Sequence, residues 1–442
     1  MQLSQEHIRQ LTWWRKSTFL VMLFGYVGYY IVRQNLPAAF PLMEKTFGYS
    51  NAQLGMIAAV SEIAYAIGKL INGPLGDKIG GKKIFLIGLG GAIVCNVLFA
   101  LGSTLPYFIA IWCLCRYFLS MGWGGIAKTI GAWFEPEKNG RVMGWISLNF
   151  QFGGVVATLF AGYLVSLGYG WDKLFIFPAA VACGVWLWSL YGSREKPQDV
   201  VPGTTFGQSS SGKRSLASFD DGDDTPVKQI MLTLLKMPVF RQLLFFSFIT
   251  TLLRSIFLFW IPKFLVDIGM GASGAIFKSA LFPTLGCLGT VLLGWYTDKY
   301  VRNGDRAKAM WIMLTGLVLS LAGIALLAET GASNHNLVVI LTGLSGFFLL
   351  GPYSMTSGAL TLDIAGSKGA GSCTGMLDGI GYFGGALAAW GAGYLSDLLG
   401  WSQVFDLLAL LSLLAVGSAY LMSRHFQRAY FEEHGGPPLH AS

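Results

Sequence analysis

The sequence has little charge and few of the residue types that carry catalysis or metal binding. Only 12% of its 442 residues are Asp, Glu, Lys or Arg, about half the share in soluble proteins, whereas 53% are hydrophobic. We place the five histidines in loops or tails, and the six cysteines in or beside apolar segments. No set of nucleophile, base and orienting group, no metal cluster and no phosphate-binding loop emerges. We therefore expect an integral membrane protein that is not an enzyme and needs no cofactor.

Long polar stretches are scarce as well, and twelve apolar windows divide the chain. A helix needs about 20 residues to cross a bilayer. Windows of that length predict an all-α protein with twelve transmembrane helices in two sets of six. They lie near 17–38, 53–75, 84–102, 106–129, 141–167, 173–192, 240–264, 273–296, 308–328, 336–359, 371–396 and 402–423.

Lys and Arg are unevenly divided between the loops. One side of the predicted membrane collects most of them, and the other has little more than Lys45, Lys173 and Lys263. Since positively charged loops stay inside, both termini are predicted to be cytoplasmic. The net charge of +8 therefore indicates topology, and we expect no nucleic-acid partner.

The expected domain boundaries follow from these windows. Residues 1–192 form an N-terminal six-helix half and residues 230–425 a C-terminal one. Between them, residues 193–229 are rich in Ser, Gly and Asp without apolar periodicity, which predicts a flexible cytoplasmic linker. Residues 426–442 form a cytoplasmic tail.

An arginine, Arg33, interrupts the first apolar window, in the stretch GYVGYYIVRQN. A guanidinium does not lose its proton in a protein, and at the centre of a bare membrane helix it costs at least about 3 kcal/mol. Arg33 therefore either faces a polar cavity or snorkels to the headgroups. Because Tyr29 and Tyr30 supply hydroxyls and ring faces beside it, we favour an anion site lined by aromatic groups.

The second half repeats this arrangement, which weakens the snorkelling alternative. Arg254 lies deep in the seventh window, 221 residues after Arg33, and Asp298 lies 221 residues after Asp77. A third repeat, GG…AGYL, begins at Gly153 and again at Gly384. The chain is therefore a duplication. Two equivalent arginines that meet at one axis would make a two-pronged anion clamp.

The loop GPLGDKIGGKK after the second window resembles the signature loop of the major facilitator superfamily, and GWYTDKYVRNGDR repeats it after the eighth. Other stretches are similar to the organophosphate:phosphate antiporter family: YYIVRQN, AYAIGKLINGPLGDK, GWGGIAKTIGAWF, LLRSIFLFWIPKFL and GPYSMTSGALTLDIAGSKGAG. The resemblance covers nearly the whole chain. It implies the major facilitator fold, with two six-helix halves around a central cavity that opens alternately to either side.

In that family the arginines of spans one and seven bind the phosphate of the cargo, which implies this role for Arg33 and Arg254. The family's span-two lysine matches Lys69. Two positions depart from the glycerol-3-phosphate and hexose-phosphate carriers: Gln34 stands where they have a lysine, and Phe150 where they have a histidine. The phosphate clamp is retained, but the polar part of the cargo need not be glycerol or glucose.

Two acids lie within the apolar windows, and each has two interpretations. Glu62 lies seven residues before Lys69 on one helix face. It either offsets the charge of Lys69 or of a neighbouring helix, or it titrates during transport. Asp378 either faces Arg254 across the cavity or caps its own helix.

Further residues complete the predicted site. Asn149, Gln151 and Tyr382 either hydrogen-bond cargo hydroxyls or hold membrane helices together. The motif residues assigned to the gates are Asp77, Lys78, Lys82, Asp298 and Lys299.

Together these features predict a secondary transporter of a phosphorylated organic anion of the sugar-phosphate or glycerol-phosphate type. The cationic side chains of the predicted cavity repel each other when it is empty, and this favours exchange of the cargo for inorganic phosphate. Two alternatives remain: a proton-coupled symporter that uses Glu62 or Asp378, and a transporter-like sensor of sugar phosphate. We expect a multi-pass monomer in the inner (plasma) membrane.

Overall fold

The computed structural model describes residues 4–134, 142, 146, 149–204, 227–301, 305–329, 334–356 and 359–434. The structure does not describe the side chains at 74, 77, 150, 151, 227, 228, 298, 359, 362, 363, 365–372 and 429–434. Over the described ranges the chain forms helices joined by short connections and contains no strand. The expected all-α class is confirmed over these ranges.

The described helices follow the predicted windows closely. The first half contains α1 (Gln5–Ile31), α2 (Asn35–Phe47), α3 (Asn51–Ile79), α4 (Gly81–Ala100), α5 (Leu105–Leu119), α6 (Met121–Trp133), α7 (Asn149–Ser166) and α8 (Lys173–Gly192). The second half contains α9 (Val227–Lys236), α10 (Pro238–Asp267), α11 (Ala272–Ser279), α12 (Leu281–Tyr300), α13 (Arg306–Glu329), α14 (His335–Thr356), α15 (Ala359–Leu399) and α16 (Trp401–His434).

Many of these helices are long and apolar enough to cross a membrane. In the described part of the chain nine candidate spans meet that test, and they match nine of the twelve predicted windows. The first, fifth and eleventh windows correspond to α1 with α2, to α7 and to α15. The protein is therefore a multi-pass membrane protein.

The backbone divides into two compact units. The first comprises Met1–Tyr49, Met56–Ser211 and Gly271–Ala280, and the second comprises Ser50–Gly55, Gly212–Met270 and Leu281–Ser442. In the first unit, α1 packs against α7 and α8, and α4 packs against α5, α6 and α8. In the second, α10 packs against α15, α12 against α14, and α13 against α16. The short segments Ser50–Gly55 and Gly271–Ala280 interrupt the two long runs of sequence in these units.

Residues 193–204, the beginning of the expected linker, fold back onto the first unit. They include a short 3₁₀ helix at Pro197–Asp199, and Val201 is only 5% exposed. Val201 packs in a small apolar cluster with Leu11 and Trp133. Residues 205–226 of the expected linker lie outside the described residues. The described part of the first half therefore continues for twelve residues beyond the end of α8.

Glu195, in this folded-back segment, holds the start of α4. Its carboxylate accepts hydrogen bonds from the backbone N–H groups of Gly81 and Lys82, the latter at 3.0 Å. A carboxylate at a helix N-terminus satisfies unpaired donors and the helix dipole. A side chain at Gly80 would collide with it, because a Cβ there would lie 2.7 Å from the carboxyl carbon.

Lys263, which we counted with the loop charges, lies inside α10 and is 1% exposed. Its ammonium group pairs with Asp267, one turn further along. Trp401 Nε1 also donates to Asp267, at 2.9 Å. The sequence-based assignment of Lys263 to a loop was therefore wrong. The lysine can lie buried in the helix because Asp267 neutralises its charge locally.

Candidate anion-binding site

Arg33 lies on a break in the first membrane span rather than within a continuous helix. The three-residue turn 32–34 separates α1 from α2. The backbone N–H groups of Arg33 and Gln34 both donate to the carbonyl of Tyr30, at 3.1 and 2.8 Å. Pro37 explains the break, because it has no N–H for the carbonyl of Arg33 and its ring clashes with that carbonyl. Interrupted helices of this kind form ligand sites in other transporters.

The corresponding helix of the second half is not broken. The helix α10 is continuous over 30 residues and carries Arg254 in its interior. The residue 221 positions after Pro37 is Leu258, whereas Pro41 has the equivalent Pro262. The duplication therefore retains the arginine without the proline that interrupts the first copy.

Two buried asparagines bind the polar groups at the break. Asn96 Nδ2, on α4, donates to the carbonyl of Val32 at 3.0 Å. Asn35 Nδ2 donates to Asn96 Oδ1 at 2.6 Å and to the carbonyl of Leu174 at 3.1 Å. Both asparagines are at most 1% exposed. Sequence reasoning missed them, although an asparagine inside an apolar window was an available signal.

Three cationic groups lie close to the ring of Tyr65 on α3. The guanidinium carbons of Arg116 and Arg33 lie 4.4 and 5.2 Å from the ring centroid, and Lys69 Nζ lies 5.5 Å from it. Arg33 also lies 5.6 Å from the ring of Tyr30. An aromatic face attracts a cation at such distances. The structure thus brings three predicted residues, Arg33, Lys69 and Tyr30, together with two that sequence reasoning missed.

Glu62 is paired with Arg116 of the neighbouring helix α5. Arg116 Nη2 donates to Glu62 Oε1, and the two residues are 2% and 3% exposed. Of the interpretations left open for Glu62, this contact matches compensation of a charge on a neighbouring helix. The overlooked signal was the lone arginine in the fourth apolar window.

Tyr29 and Asn149, predicted as cargo ligands, hold helices together. The hydroxyl of Tyr29 donates to the carbonyl of Phe85 at 2.5 Å, and Tyr29 is 2% exposed. Asn149, on α7, is 5% exposed and donates to the carbonyl of Leu23 on α1. For Asn149 this geometry favours the helix-packing alternative. Gln151 and Phe150 have no described side chains.

The second unit places its own candidates on two helices that pack together. Arg254 lies half-buried on α10, with its guanidinium carbon 4.8 Å from the ring centroid of Tyr353. Asp378 and Tyr382 lie half-buried on α15, which packs against α10. In each unit, the arginine that the duplication repeats therefore lies near a tyrosine ring.

The predicted gate residues are only partly described. Lys82 Nζ donates to the carbonyls of Leu190 and Ser193 at 2.8 and 2.7 Å, so it holds the end of α8. Lys299 lies 5.0 Å from the ring centroid of Trp295, and Lys78 is exposed. The side chains of Asp77 and Asp298 lie outside the described residues.

A family model described as Major Facilitator Superfamily matches residues 22–307. The chain belongs to this superfamily. Its membership confirms the resemblance drawn from the repeated signature loop.

Named relatives of this superfamily member extend over most of its length. It is 25% identical over 432 residues to "Probable hexose phosphate transport protein" of Chlamydia pneumoniae, covering 94% of this chain and 91% of that protein. It is 24% identical over 410 residues to "Glycerol-3-phosphate transporter" of Bacillus subtilis, covering 91% and 90%. It is also 24% identical over 404 residues to "Membrane sensor protein UhpC" of Escherichia coli, covering 90% of each chain.

Solved structures support the fold of this major facilitator protein. A bacterial homologue of the human lysosomal transporter Spinster matches with a TM-score of 0.73 and 16% identity, covering 94% of this chain and 98% of that one. A D-xylose–proton symporter matches with a TM-score of 0.74 and 14% identity, covering 92% and 97%. At these identities the likeness concerns the fold alone.

Proposed function

We propose that the protein is a secondary transporter that carries a phosphorylated organic anion across the membrane in exchange for inorganic phosphate, by alternating access. Arg33 and Arg254 each bind the cargo phosphate, and Lys69 assists. Relatives of similar length are named as hexose phosphate and glycerol-3-phosphate transporters, which supports this cargo class. The protein lies in the inner (plasma) membrane as a monomer, with both termini in the cytoplasm.

The observation that carries this proposal is the concentration of positive charge beside the break in span one. Arg33, Lys69 and Arg116 all lie within 5.5 Å of the Tyr65 ring centroid, and Glu62 pairs with Arg116. Positive groups held this close in a membrane protein favour a negatively charged ligand. A phosphate matches them because arginine and lysine form strong, charge-assisted hydrogen bonds to its oxygens.

Exchange follows from the same positive charge. When the site is empty, its cations repel each other, and a bound anion relieves that repulsion. A loaded carrier therefore changes conformation more readily than an empty one. This difference favours one-for-one exchange over net leakage, and inorganic phosphate is the smallest anion that can serve as the returning partner.

Reconstituted protein tests the proposal directly. Purified protein in liposomes should take up labelled inorganic phosphate when the vesicles contain trapped phosphate, and much less when they are empty. A protonophore should leave this exchange unchanged. Strong uptake into phosphate-free vesicles that a protonophore abolishes would contradict antiport and favour a proton symporter.

A second candidate function is sensing, because one relative that covers 90% of this chain is named a membrane sensor protein. A sensor needs to bind its ligand but not to release it on the other side. Binding of phosphate esters to purified protein, without any exchange in the liposomes that are active for a transporter, would favour this candidate.

A further inference from the structure

The first residues of α3 depend for their hydrogen bonds on the end of α15. Ser50 and Gln53 form a capping box, in which the backbone N–H of each donates to the side chain of the other, at 3.0 and 3.2 Å. The N–H groups of Asn51 and Ala52 have no partner within a helix that starts here. They donate to the carboxylate of Asp397 on α15, at 3.2 and 2.8 Å. Asp397 thus completes the N-terminal cap of α3.

Two glycines allow the start of α3 to lie directly against α15. A Cβ at Gly55 would lie 2.5 Å from the carbonyl oxygen of Ala389, and a Cβ at Gly393 would lie 2.5 Å from that of Asn51. Asn51 Nδ2 also donates to Ser396 Oγ, at 3.1 Å. Small residues of this kind let two membrane helices approach closely. The two helices therefore meet over several residues in a fixed register.

The duplication repeats this contact without its carboxylate. Gly393 is equivalent to Gly162, by the 231-residue offset of the GG…AGYL repeat. A Cβ at Gly162 would lie 3.1 Å from the ring of Phe277 on α11, the helix that corresponds to the start of α3. The same offset pairs Asp397 with Ser166, whose hydroxyl donates within its own helix. The sequence therefore places an acid in one of the two equivalent contacts and a serine in the other.

Each of these contacts combines segments from both predicted halves. The first compact unit includes Gly271–Ala280 from the C-terminal half, and the second includes Ser50–Gly55 from the N-terminal half. In the predicted topology, α3 begins and α15 ends on the outer side, away from the cytoplasm. Alternating access requires the halves to separate on that side whenever the cavity opens there. The hydrogen bonds between Asp397 and α3 have to break in that step.

We propose that Asp397 and the two N–H groups that it binds form a latch, which holds the outer side of the carrier closed and releases α3 when that side opens. This inference rests on the alternating access of the proposed function and adds a residue that biases it. Asp397 is exposed, so water can hydrate the carboxylate and both N–H groups after release. The latch can therefore form and break in every transport cycle.

Access to a buried thiol measures how often the outer side opens. Leu54 is fully buried and shares one face of α3 with Asn51 and Gly55. A maleimide should therefore reach Leu54→Cys when that face separates from α15. Asp397→Asn removes the charge at nearly unchanged size and should raise the labelling rate about tenfold, since a carboxylate at a helix N-terminus contributes both charged hydrogen bonds and a favourable interaction with the dipole.

Asn51→Pro tests the other partner of the latch. Proline is tolerated at the first position of a helix but has no N–H. The variant therefore removes one donor to Asp397, and the side-chain bond to Ser396, while the carboxylate stays in place. It should also raise the labelling rate of Leu54→Cys. This variant decides the question should Asp397→Asn not fold.

Matched controls accompany both latch variants. Asp172→Asn removes a partly exposed acid at the start of α8, on the same predicted side, where it pairs with the adjacent Lys173. It should leave the labelling rate within about twofold of the parent. Leu317→Cys places a thiol at a fully buried position of α13 and reports unfolding instead of opening. Labelling is followed by mass spectrometry on purified full-length protein, and protein without a reporter gives the background from the native cysteines.

The outcomes separate the latch from a structural role. A rise at Leu54→Cys but not at Leu317→Cys, in either latch variant, supports the inference. Unchanged labelling of Leu54→Cys in both variants, or an equal rise at both reporter positions, overturns it. Because labelling needs no cargo, it is independent of the liposome assay. A protein with latch-dependent labelling that exchanges no phosphate would retain the inference while the proposed exchange fails.

Discussion

Asn96 donates a hydrogen bond of 3.0 Å to the carbonyl oxygen of Val32, the residue immediately before Arg33. This bond joins α4 to the interruption of the first membrane span, in a place where no part of the asparagine side chain reaches solvent. The position of Arg33 thus depends on a residue from another helix. Side chains of this kind allow a broken helix to exist at membrane depth, since the freed backbone groups need partners.

Replacing Asn96 with leucine should weaken phosphate binding as well as stability. The carbonyl of Val32 would lose a partner, which costs about 1–3 kcal/mol when the group stays buried, and the turn that carries Arg33 would shift. We expect a lower melting temperature and at least a tenfold loss of phosphate affinity by titration. The control is Asn72→Leu, which removes a 2.8 Å hydrogen bond to Ser120 elsewhere in the unit. It should lower stability while affinity is retained; equal losses of affinity would contradict the positioning role.

Pro37→Ala should restore a continuous helix through residues 32–34 and weaken phosphate binding. Alanine supplies the missing N–H and removes the ring that clashes with the carbonyl of Arg33. We expect unchanged or higher thermal stability together with weaker phosphate binding, since the arginine would join a continuous helix. Pro41→Ala on the same helix is the matched control, because its equivalent, Pro262, lies in an unbroken helix. If both variants bind phosphate like the parent, the break does not serve the site.

Lysine in place of either proposed ligand arginine should nearly abolish phosphate-ester binding. Lysine keeps the charge but loses the planar fork that binds two oxygens at once. Arg33→Lys and Arg254→Lys are compared with Arg9→Lys, at an exposed position on α1, and Arg241→Lys, at an exposed position on α10. Titration with a sugar monophosphate measures the effect. Parent-like affinity in both ligand variants would show that the arginine assignment is wrong.

The ring of Tyr65 should matter more than its hydroxyl. Phenylalanine preserves an aromatic face for the three nearby cations, whereas leucine removes it. Each cation–π contact contributes about 0.5–2 kcal/mol. Tyr65→Phe should therefore keep thermal stability close to that of the parent, and Tyr65→Leu should lower it by several degrees, as measured by differential scanning fluorimetry. Equal destabilisation by both changes would contradict the contribution of the ring face.

The fold was predictable because its signals are long and repeated. Apolar windows of membrane length gave the spans, and the 221-residue spacing from Arg33 to Arg254 gave the duplication. The signature loop, present twice, gave the superfamily that the family model matches. Such signals are averaged over many residues, so a single exception does not obscure them.

The details of the site were not predictable in the same way, because they depend on single residues from distant parts of the chain. The sequence placed Arg33 in a continuous helix, although Pro37 four residues later was a reason to expect a break. The Arg116–Glu62 pair joins residues 54 positions apart, and apolar periodicity does not show which helix faces are neighbours. The expected linker was likewise judged from its average composition, which concealed the apolar contacts of Val201 at its beginning.

The proline at 37 gives the two arginines different mechanical properties. Arg254 lies within a continuous helix of 30 residues, so its backbone moves only when that helix moves. Arg33 lies on a three-residue turn between two helices, so its backbone position depends on the angle between α1 and α2. If both arginines bind the cargo as proposed, a change in the angle between α1 and α2 would move Arg33 but leave Arg254 in place on its helix, which would let the carrier accept phosphate compounds of different size.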